Sequence, residues 1–514
     1  MNGMGVLSDL QAGFGVALQP GNLLFGLLGV MLGTAVGVLP GLGPAVAISM
    51  LLPLTFGLDP TAAFIMFGGI YYGAMYGGST TSILINTPGD ASSSVSTFEG
   101  YPMARQGRAG AALATAAIGS FVGGTFATFM LMLVATALAT ISLLFGPPEY
   151  FALMLLALTM VTAVAGASAP RAALALCLGL GLSMIGIDLQ TGETRLTFGV
   201  EELYGGIDVV LGAVGLFAVG EALWIIAQPP GGLAERMPTN RLWLTAEEWR
   251  RSIPAWIRGA LVGFGSGLLP GSGGTLATFL SYGLEKRVSK RPEAFGKGAI
   301  EGLAGPEAAN NAAAGGAMAP LLALGIPGSA TTAVMLVAFQ LYGLQPGPTL
   351  LETNKALVWG LIASLYVANV LLVILNLPLV GLWVRLLQVP RGLLTGAILT
   401  FAAVGAYSLQ GSMGDVVIVW LLGVGAFLLR RFGFPVPPVL LGLVLGPLIE
   451  QEFRRAMTMS NGSLAVFVTR PLAAVILLIA LASIVAAAAG PMRRKALPGA
   501  AGETPREAGP GETD

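Results

Sequence analysis

The chain has 514 residues, of which 55% are hydrophobic and 10% charged, with a mean hydropathy of +0.80 and 26 basic against 26 acidic residues. Soluble chains carry about 25% charged residues, so this composition excludes an ordinary globular domain and points to a polytopic membrane protein; the balanced charge gives no footing for a nucleic-acid partner. Histidine is absent and Cys177 is the single cysteine, which excludes an intrachain disulfide, a conventional zinc site and Cys/His catalysis.

In chain order, residues 1–19 place no Lys or Arg ahead of their apolar part, so they read as an N-terminal segment rather than a secretory signal. Apolar stretches then lie near 22–39, 62–85, 110–145, 150–166, 171–187, 207–227, 257–282, 308–326, 328–345, 356–377, 391–408, 414–429, 436–449 and 464–489. A helix needs about 20 residues to cross the hydrocarbon core, and no alternating ten-residue pattern of a membrane barrel is visible. The expected fold is an all-α polytopic membrane protein with ten to fourteen membrane segments, several of them broken. Cys177, in "ALALCLGLGLSMIG", reads as a small buried hydrophobe. The polar stretch 229–256 reads as a connector, and "EKRVSKRPEAFGK" (285–297) as a basic loop. The positive-inside bias puts 236–258 and 493–495 on the cytoplasmic side; a single spanning helix over 257–282 would put 285–297 on the other. The Gly/Pro-rich end, 490–514, reads as disordered.

The chain repeats itself. "GVLPGLGPAVA" (37–47) returns as "GLLPGSGGTLA" (267–277), shifted by 230 positions, and "TPGDASSS" (87–94) as "IPGSATTA" (326–333), shifted by 239. "GPPEYFALMLLALTMV" (146–161) is loosely echoed by "QVPRGLLTGAILTFAAV" (388–404), and "VGE" (219–221) sits where "LIE" (448–450) does. The reading is two structural repeats of inverted topology, 20–228 and 257–489. Secondary transporters place their substrate site where Gly/Pro-broken segments occur at matching positions of two such halves.

The first pair of breaks holds Pro40, Gly41 and Gly43 opposite Pro270, Gly271 and Gly273. Proline ends a helix and glycine admits positive φ, which suits a re-entrant tip facing a cavity as well as a tight surface loop. The second pair holds Pro88, Gly89, Asp90, Ser92 and Ser93 opposite Pro327, Gly328, Ser329, Thr331 and Thr332. A Pro-Gly break followed by hydroxyls reads as a new helix N-terminus, which attracts anions; an ordinary N-cap uses the same residues. Around these breaks Ser79, Thr80, Thr81, Asn86, Asn310 and Asn311 form a polar set suited to a monovalent cation, amid small residues that otherwise serve helix packing. Glu307 is an intramembrane carboxylate and a candidate proton or cation site. Asp90 is similarly poised. Glu99 reads as surface, and Glu301 as solvated after the basic loop. The Gly29/Gly33/Gly37 and Gly259/Gly263/Gly267 series read as packing.

At "GVLPGLGPAVAISMLLPLTF" (37–56), "YYGAMYGGSTTSILINTPGDASSSVSTFEGYPMARQGRAGAAL" (71–113) and "EGLAGPEAANNAAAGGAMAPLLALGIPGSATTAVML" (301–336) the sequence resembles the large permease subunit of the tripartite tricarboxylate transporters. The resemblance implies a bacterial inner-membrane permease that is not an enzyme. Its partners would be a small four-helix membrane subunit and a periplasmic solute-binding protein, its substrates tricarboxylates or related small organic carboxylates. It would be driven by an ion gradient without a cofactor, the coupling ion being sodium or a proton. On this reading the Pro88-Gly89 and Pro327-Gly328 helix starts bind substrate carboxylates. The Pro40-Gly41 and Pro270-Gly271 tips, with Asn310 and Asn311, hold the coupling cation or shape the cavity. One Asn of each half, Asn86 and either Asn310 or Asn311, is expected near its break. The absence of a GxxxxGK[ST] motif argues against ATP drive within the chain. The leading alternative is a stand-alone channel or exporter of small anions that needs no binding protein.

Overall fold

The computed structural model describes residues 3–39, 41–142, 144–164, 169–188, 190–228, 243–386 and 389–495. The protein is an all-α polytopic membrane protein. Its first half comprises α1 (Gly3–Ala17), α2 (Pro20–Val38), α3 (Pro44–Leu51), α4 (Pro60–Ile85), a 3-10 turn (Ala91–Val95), α5 (Ser96–Met103), α6 (Ala109–Ser142), α7 (Pro147–Val164) and α8 (Ala169–Ser183). A two-stranded hairpin, β1 (Gly186–Ile187) and β2 (Thr194–Arg195), leads to α9 (Val209–Ala213), a π turn (Val214–Val219) and α10 (Gly220–Ala227). The second half comprises α11 (Ala246–Gly267), α12 (Gly273–Val288), α13 (Ile300–Leu324), α14 (Ala330–Leu341), α15 (Pro348–Thr353), α16 (Lys355–Asn376), α17 (Val380–Leu386), α18 (Arg391–Gln410), α19 (Met413–Arg431), α20 (Pro437–Met459), α21 (Val466–Thr469) and α22 (Pro471–Lys495).

Among the described residues, six helical stretches are long and apolar enough to cross a membrane: Pro20–Val38, Ala91–Ile141, Val209–Ala227, Lys355–Asn376, Arg391–Gln410 and Met413–Arg431. Five shorter apolar helices join them. α4 and α13 are long enough, at 26 and 25 residues, but Gly, Ala, Ser, Thr and Asn dilute their hydropathy. Both are buried along nearly their whole length, so their small residues face protein rather than lipid.

Glycine sets the closest packing. On α2, a Cβ at Gly29, Gly33 or Gly37 would run into the backbone of Met66, Ile70 or Ala74 on α4. On α11, Gly259, Gly263 and Gly267 meet Gly305, Ala309 and Ala313 of α13 in the same way. The two sets match at the 230- and 239-residue shifts of the sequence repeat. Each pair runs parallel, yet α4 and α13 run antiparallel: Ser79 meets Glu307, while Tyr72, earlier on α4, meets Gly315, later on α13. The halves are therefore inverted. They also interlock, for α13 packs on α6 of the other half and α4 on α16. Beside this bundle a second one repeats the exchange: α8 packs on α20, α19 on the π turn before α10, and α7 on α22.

Five expectations change. Residues 257–282 do not form one spanning helix. The chain turns back at Pro270-Gly271, and Arg258 of α11 pairs with Glu285 of α12, so 285–297 lies on the same face as 246–258. There Arg108 bonds Glu248 at 2.7 Å and Gln106 bonds the Lys297 carbonyl at 2.8 Å. Cys177 is exposed, because α8 turns Ala172, Ala175, Leu176 and Gly179 inward and Cys177 outward. Glu99 is fully buried, its charge met by backbone N–H groups of Gly296, Gly298 and Ala299 and by the Tyr282 hydroxyl. α11 begins inside the expected connector, at Ala246, and α22 carries helix through 490–495; 229–242 and 496–514 lie outside the described residues.

Candidate functional site

The four breaks of the sequence meet in pairs. Gly41 N–H donates to the Gly89 carbonyl at 2.9 Å, and Gly273 N–H to the Gly328 carbonyl at 3.4 Å. Gly41, Gly271 and Gly273 take φ of 87°, 75° and 56°, where a side chain is strained. Gly89 seats against the backbone of Gly37 and Gly78, and Gly328 against Gly267 and Ala317. Pro88 and Pro327, lacking N–H groups, precede these contacts and hold the chain out of the helix. Pro40 lies outside the described residues; Pro270 forms the turn after α11. Gly43 caps α3, with Asp90 as its neighbour.

Both hydroxyl-rich starts form capping boxes. Asp90 accepts from Ser93 N–H at 3.1 Å, while Asp90 N–H donates to Ser93 Oγ at 3.2 Å. Ser329 accepts from Thr332 N–H at 3.2 Å, and Ser329 N–H donates to Thr332 Oγ1 at 2.8 Å. The capping role foreseen for these residues is thus real in both halves. It leaves the next first-turn N–H groups, including that of the buried Thr331, pointing outward from the helix start as in any first turn. The first start opens only a 3-10 turn and is capped by a carboxylate; the second opens the twelve-residue α14 and is capped by a neutral serine.

The starts lie against the opposite half: the 3-10 turn packs on α12 and α14 on α3. Ser92 donates to Asp90 Oδ2 at 2.6 Å and sits beside Gly274, which also adjoins Asn310 Oδ1. Ser329 Oγ lies 3.0 Å from the Tyr71 hydroxyl of α4. Asn310 and Asn311 are buried with both amide atoms lacking a protein partner. Ser79 donates to Glu307 Oε2 at 2.6 Å, Thr80 lines a small pocket with Ser79, and Thr81 donates to the Gly78 carbonyl at 3.1 Å. α2, α3, α4, α13 and α14 contain no Lys or Arg, so the cluster offers dipoles, hydroxyls and amides in place of fixed positive charge.

Two expectations are corrected here. Asn86 is the left-handed residue that ends α4, at φ 55°, and its counterpart is Gly325 at φ 70°, not Asn310 or Asn311. Asn tolerates that conformation better than other side chains, which accounts for its place at the break. Glu301 is not simply solvated: Arg251 holds it in a two-pronged ion pair at 2.7 Å, away from the breaks. Sequence reasoning missed Tyr71, Tyr76, Ser96, Ser120, Asn369 and Asn376. The available signal was the isolated polar side chain in an apolar run, such as Asn369 in "LYVANVLLVILN"; Asn369, too, is buried with an unpartnered amide.

The family described as "Tripartite tricarboxylate transporter TctA family" matches residues 23–441. A protein of Agrobacterium vitis described as "Uncharacterized 52.8 kDa protein in TAR-I ttuC' 3'region" is 49% identical over 492 residues, covering 96% of this chain and 98% of its own length. A second from the same organism, "Uncharacterized protein in TAR-II ttuC' 3'region", is 49% identical over 229 residues, covering 45% of this chain and 95% of its own. No solved structure matches the chain. The family match spans both glycine seams, both tips and both capped helix starts, and the chain belongs to the tripartite tricarboxylate transporter TctA family.

Proposed function

We propose that the protein is the large permease subunit of a binding-protein-dependent transporter that imports tricarboxylates or related small organic carboxylates down an ion gradient. It works in a bacterial inner membrane with a small four-helix membrane subunit and a periplasmic solute-binding protein. The observation that carries the reading is the pair of Pro-Gly helix starts, one from each inverted half, set among buried amides without partners. The α14 start, with Ser329, Thr331 and Thr332, takes the substrate carboxylate, because its cap is neutral and its dipole unopposed. Asp90 places a negative charge at the other start, so Ser92 and the Gly41 and Gly273 tips serve the cavity or the cation there. The face holding 246–258 and 285–297 is the cytoplasmic one.

The test is uptake by the reconstituted three-part system, using labelled citrate and C4-dicarboxylates. Uptake should require the binding protein and an imposed ion gradient, and should proceed without ATP. Replacing Thr331 by Ala should lower uptake about ten-fold, one lost carboxylate contact being worth on the order of 1.5 kcal/mol, with membrane insertion unchanged. Uptake that ignores the binding protein would leave the stand-alone channel or exporter instead.

A further inference from the structure

Glu307 lies in the first third of α13 at 1% exposure. Three hydroxyls from three separate elements converge on it. Ser79 of α4 donates to Oε2 at 2.6 Å, Ser120 of α6 to Oε2 at 3.4 Å, and Ser96 of α5 to Oε1. No Lys or Arg is among its hydrogen-bond partners. The titratable groups facing it are Tyr76 of α4 and Asp90, and neither brings positive charge. Other charges on the helices around α13 are engaged elsewhere. Glu99 is held by the 296–299 backbone, Glu285 by Arg258 and Glu301 by Arg251, while Glu352 of α15 and Glu247, Arg250, Lys286 and Arg287 sit outside the buried stretch.

Beside Glu307 a small pocket runs between α4, α6 and the end of α16, with Tyr76, Ser79, Thr80, Ser120 and Asn376 as its polar lining and Leu377 and the α6 stretch 113–117 as its apolar lining. The Tyr76 hydroxyl and Asn376 Oδ1 face no protein partner. With Ser79, Thr80 and Ser120 they supply the polar partners that a water molecule needs in an otherwise apolar lining. Asn376 and Leu377 stand where α16 ends, near the start of α6, which carries the chain up from Arg108 and its bond to Glu248. Along α6 the lining runs from Ser120, at Glu307, back to Leu113, close to the start of the helix and the basic face.

We propose that Glu307 carries the coupling proton of this transporter and releases it through the Tyr76–Asn376 pocket to the cytoplasmic face. This deepens the reading above and rests on it. A wholly buried carboxylate with only hydroxyl partners is too costly to stay charged throughout a cycle. A proton removes that charge without requiring any new ligand. A metal cation would need further oxygens, and because Ser79, Ser120 and Glu307 sit inside regular helices whose carbonyls already accept helical N–H groups, it would have to draw on the unpartnered amide oxygens of Asn310 and Asn311, which a proton does not need. The step balances simply: the carboxyl group passes its proton to water in the pocket, leaving carboxylate and hydronium, and takes one back from the opposite side with the next substrate.

The test uses proteoliposomes holding the complete three-part system. With labelled citrate and C4-dicarboxylates, an imposed inside-alkaline pH gradient without sodium should drive accumulation. Glu307→Gln should cut that accumulation about ten-fold or more, as for loss of an intramembrane ionisable group, while substrate exchange at equal pH persists. Glu307→Asp should retain part of the pH-driven uptake. Infrared difference spectra of the purified full chain across pH should show a carboxylic-acid band that E307Q removes, a readout needing no substrate. Accumulation that follows sodium and ignores pH would overturn the proposal while sparing the carboxylate reading. So would an E307Q protein that accumulates normally, or an infrared band unchanged by the substitution. A wild-type system that moves no carboxylate while the infrared band still titrates would sink the transport reading and, with it, the coupling role.

Discussion

The Tyr71 hydroxyl lies 3.0 Å from Ser329 Oγ, joining the middle of α4 to the first residue of the helix start in the opposite half. Both residues are buried. Ser329 keeps its capping bonds to Thr332 without Tyr71, so the fold does not depend on this contact. Tyr71→Phe should therefore cost only about 1 kcal/mol of stability. Its effect on carboxylate uptake should be larger, because the phenol fixes the Ser329 hydroxyl beside the proposed substrate position. Thermal unfolding of the detergent-solubilised protein, set against reconstituted uptake, separates the two; equal small losses in both would make Tyr71 a packing residue only.

The glycine seam between α11 and α13 gives a controlled comparison. A methyl group at Gly263 would meet the Ala309 backbone, whereas one at Gly265, on the same helix, meets nothing within 4 Å. Gly263→Ala must push α11 off the buried α13 and should destabilise the protein by about 1–3 kcal/mol. Gly265→Ala should be neutral or slightly stabilising, since alanine favours helix by about 1 kcal/mol over glycine. Melting temperatures of the two variants check this, and equal values would mean that the seam yields.

Glu99 ties the loop before α13 to the first half. Its Oε2 accepts from Gly298 and Ala299 N–H, each at 2.8 Å, and its Oε1 from the Tyr282 hydroxyl at 2.8 Å and from Gly296 N–H. Glu99→Gln presents an amide NH₂ to at least one of these donors, so donors face donors in a buried site. The expected loss is about 3 kcal/mol, as for an unsatisfied buried group next to a lost charge-assisted bond. Trypsin should then cut faster after Lys297, which is exposed. An unaltered cleavage rate would show that the loop holds without the carboxylate.

The breaks were legible in the sequence because Pro and Gly act locally: Pro88-Gly89, Pro327-Gly328 and the Pro270 tip leave the helix wherever the rest of the chain goes. The repeat was legible because the same local need recurs at a fixed shift. Partners were not legible. Nothing around Glu99 says that the 296–299 backbone will close over it, and Ser96 and Ser120 look like ordinary small residues until α13 brings Glu307 between them. Asn86 misled for a related reason. Its polarity reads as a ligand, but its work is done by its backbone, in a conformation that Gly325 adopts in the other half. By hydropathy alone residues 257–282 are long enough for one span, and only Pro270-Gly271 within them signals that the chain reverses.

Asp188, in the hairpin region after α8, gives the pH prediction. Both Arg454 Nη atoms donate to its carboxylate, at 2.6 and 3.1 Å, and Gln190 N–H adds a bond at 2.8 Å. The Arg454 guanidinium first, and the Gln190 N–H next, hold this carboxyl well below the usual range. A depressed folded value stabilises the protein at pH above the unfolded value of about 4, and the contribution disappears as pH falls through the folded one. The bond therefore contributes fully at pH 7 and at pH 5, and is withdrawn in stronger acid. Asp188→Asn should accordingly lower the melting temperature at neutral pH, and the gap to wild type should narrow as pH falls below about 4. Arg454→Gln should weaken the acid dependence in the same window, because the largest cause of the depression is gone while the Gln190 N–H remains. A gap that stays constant into acid would mean that the hairpin is held by its backbone bonds to Glu193 and Tyr204 and not by the carboxylate.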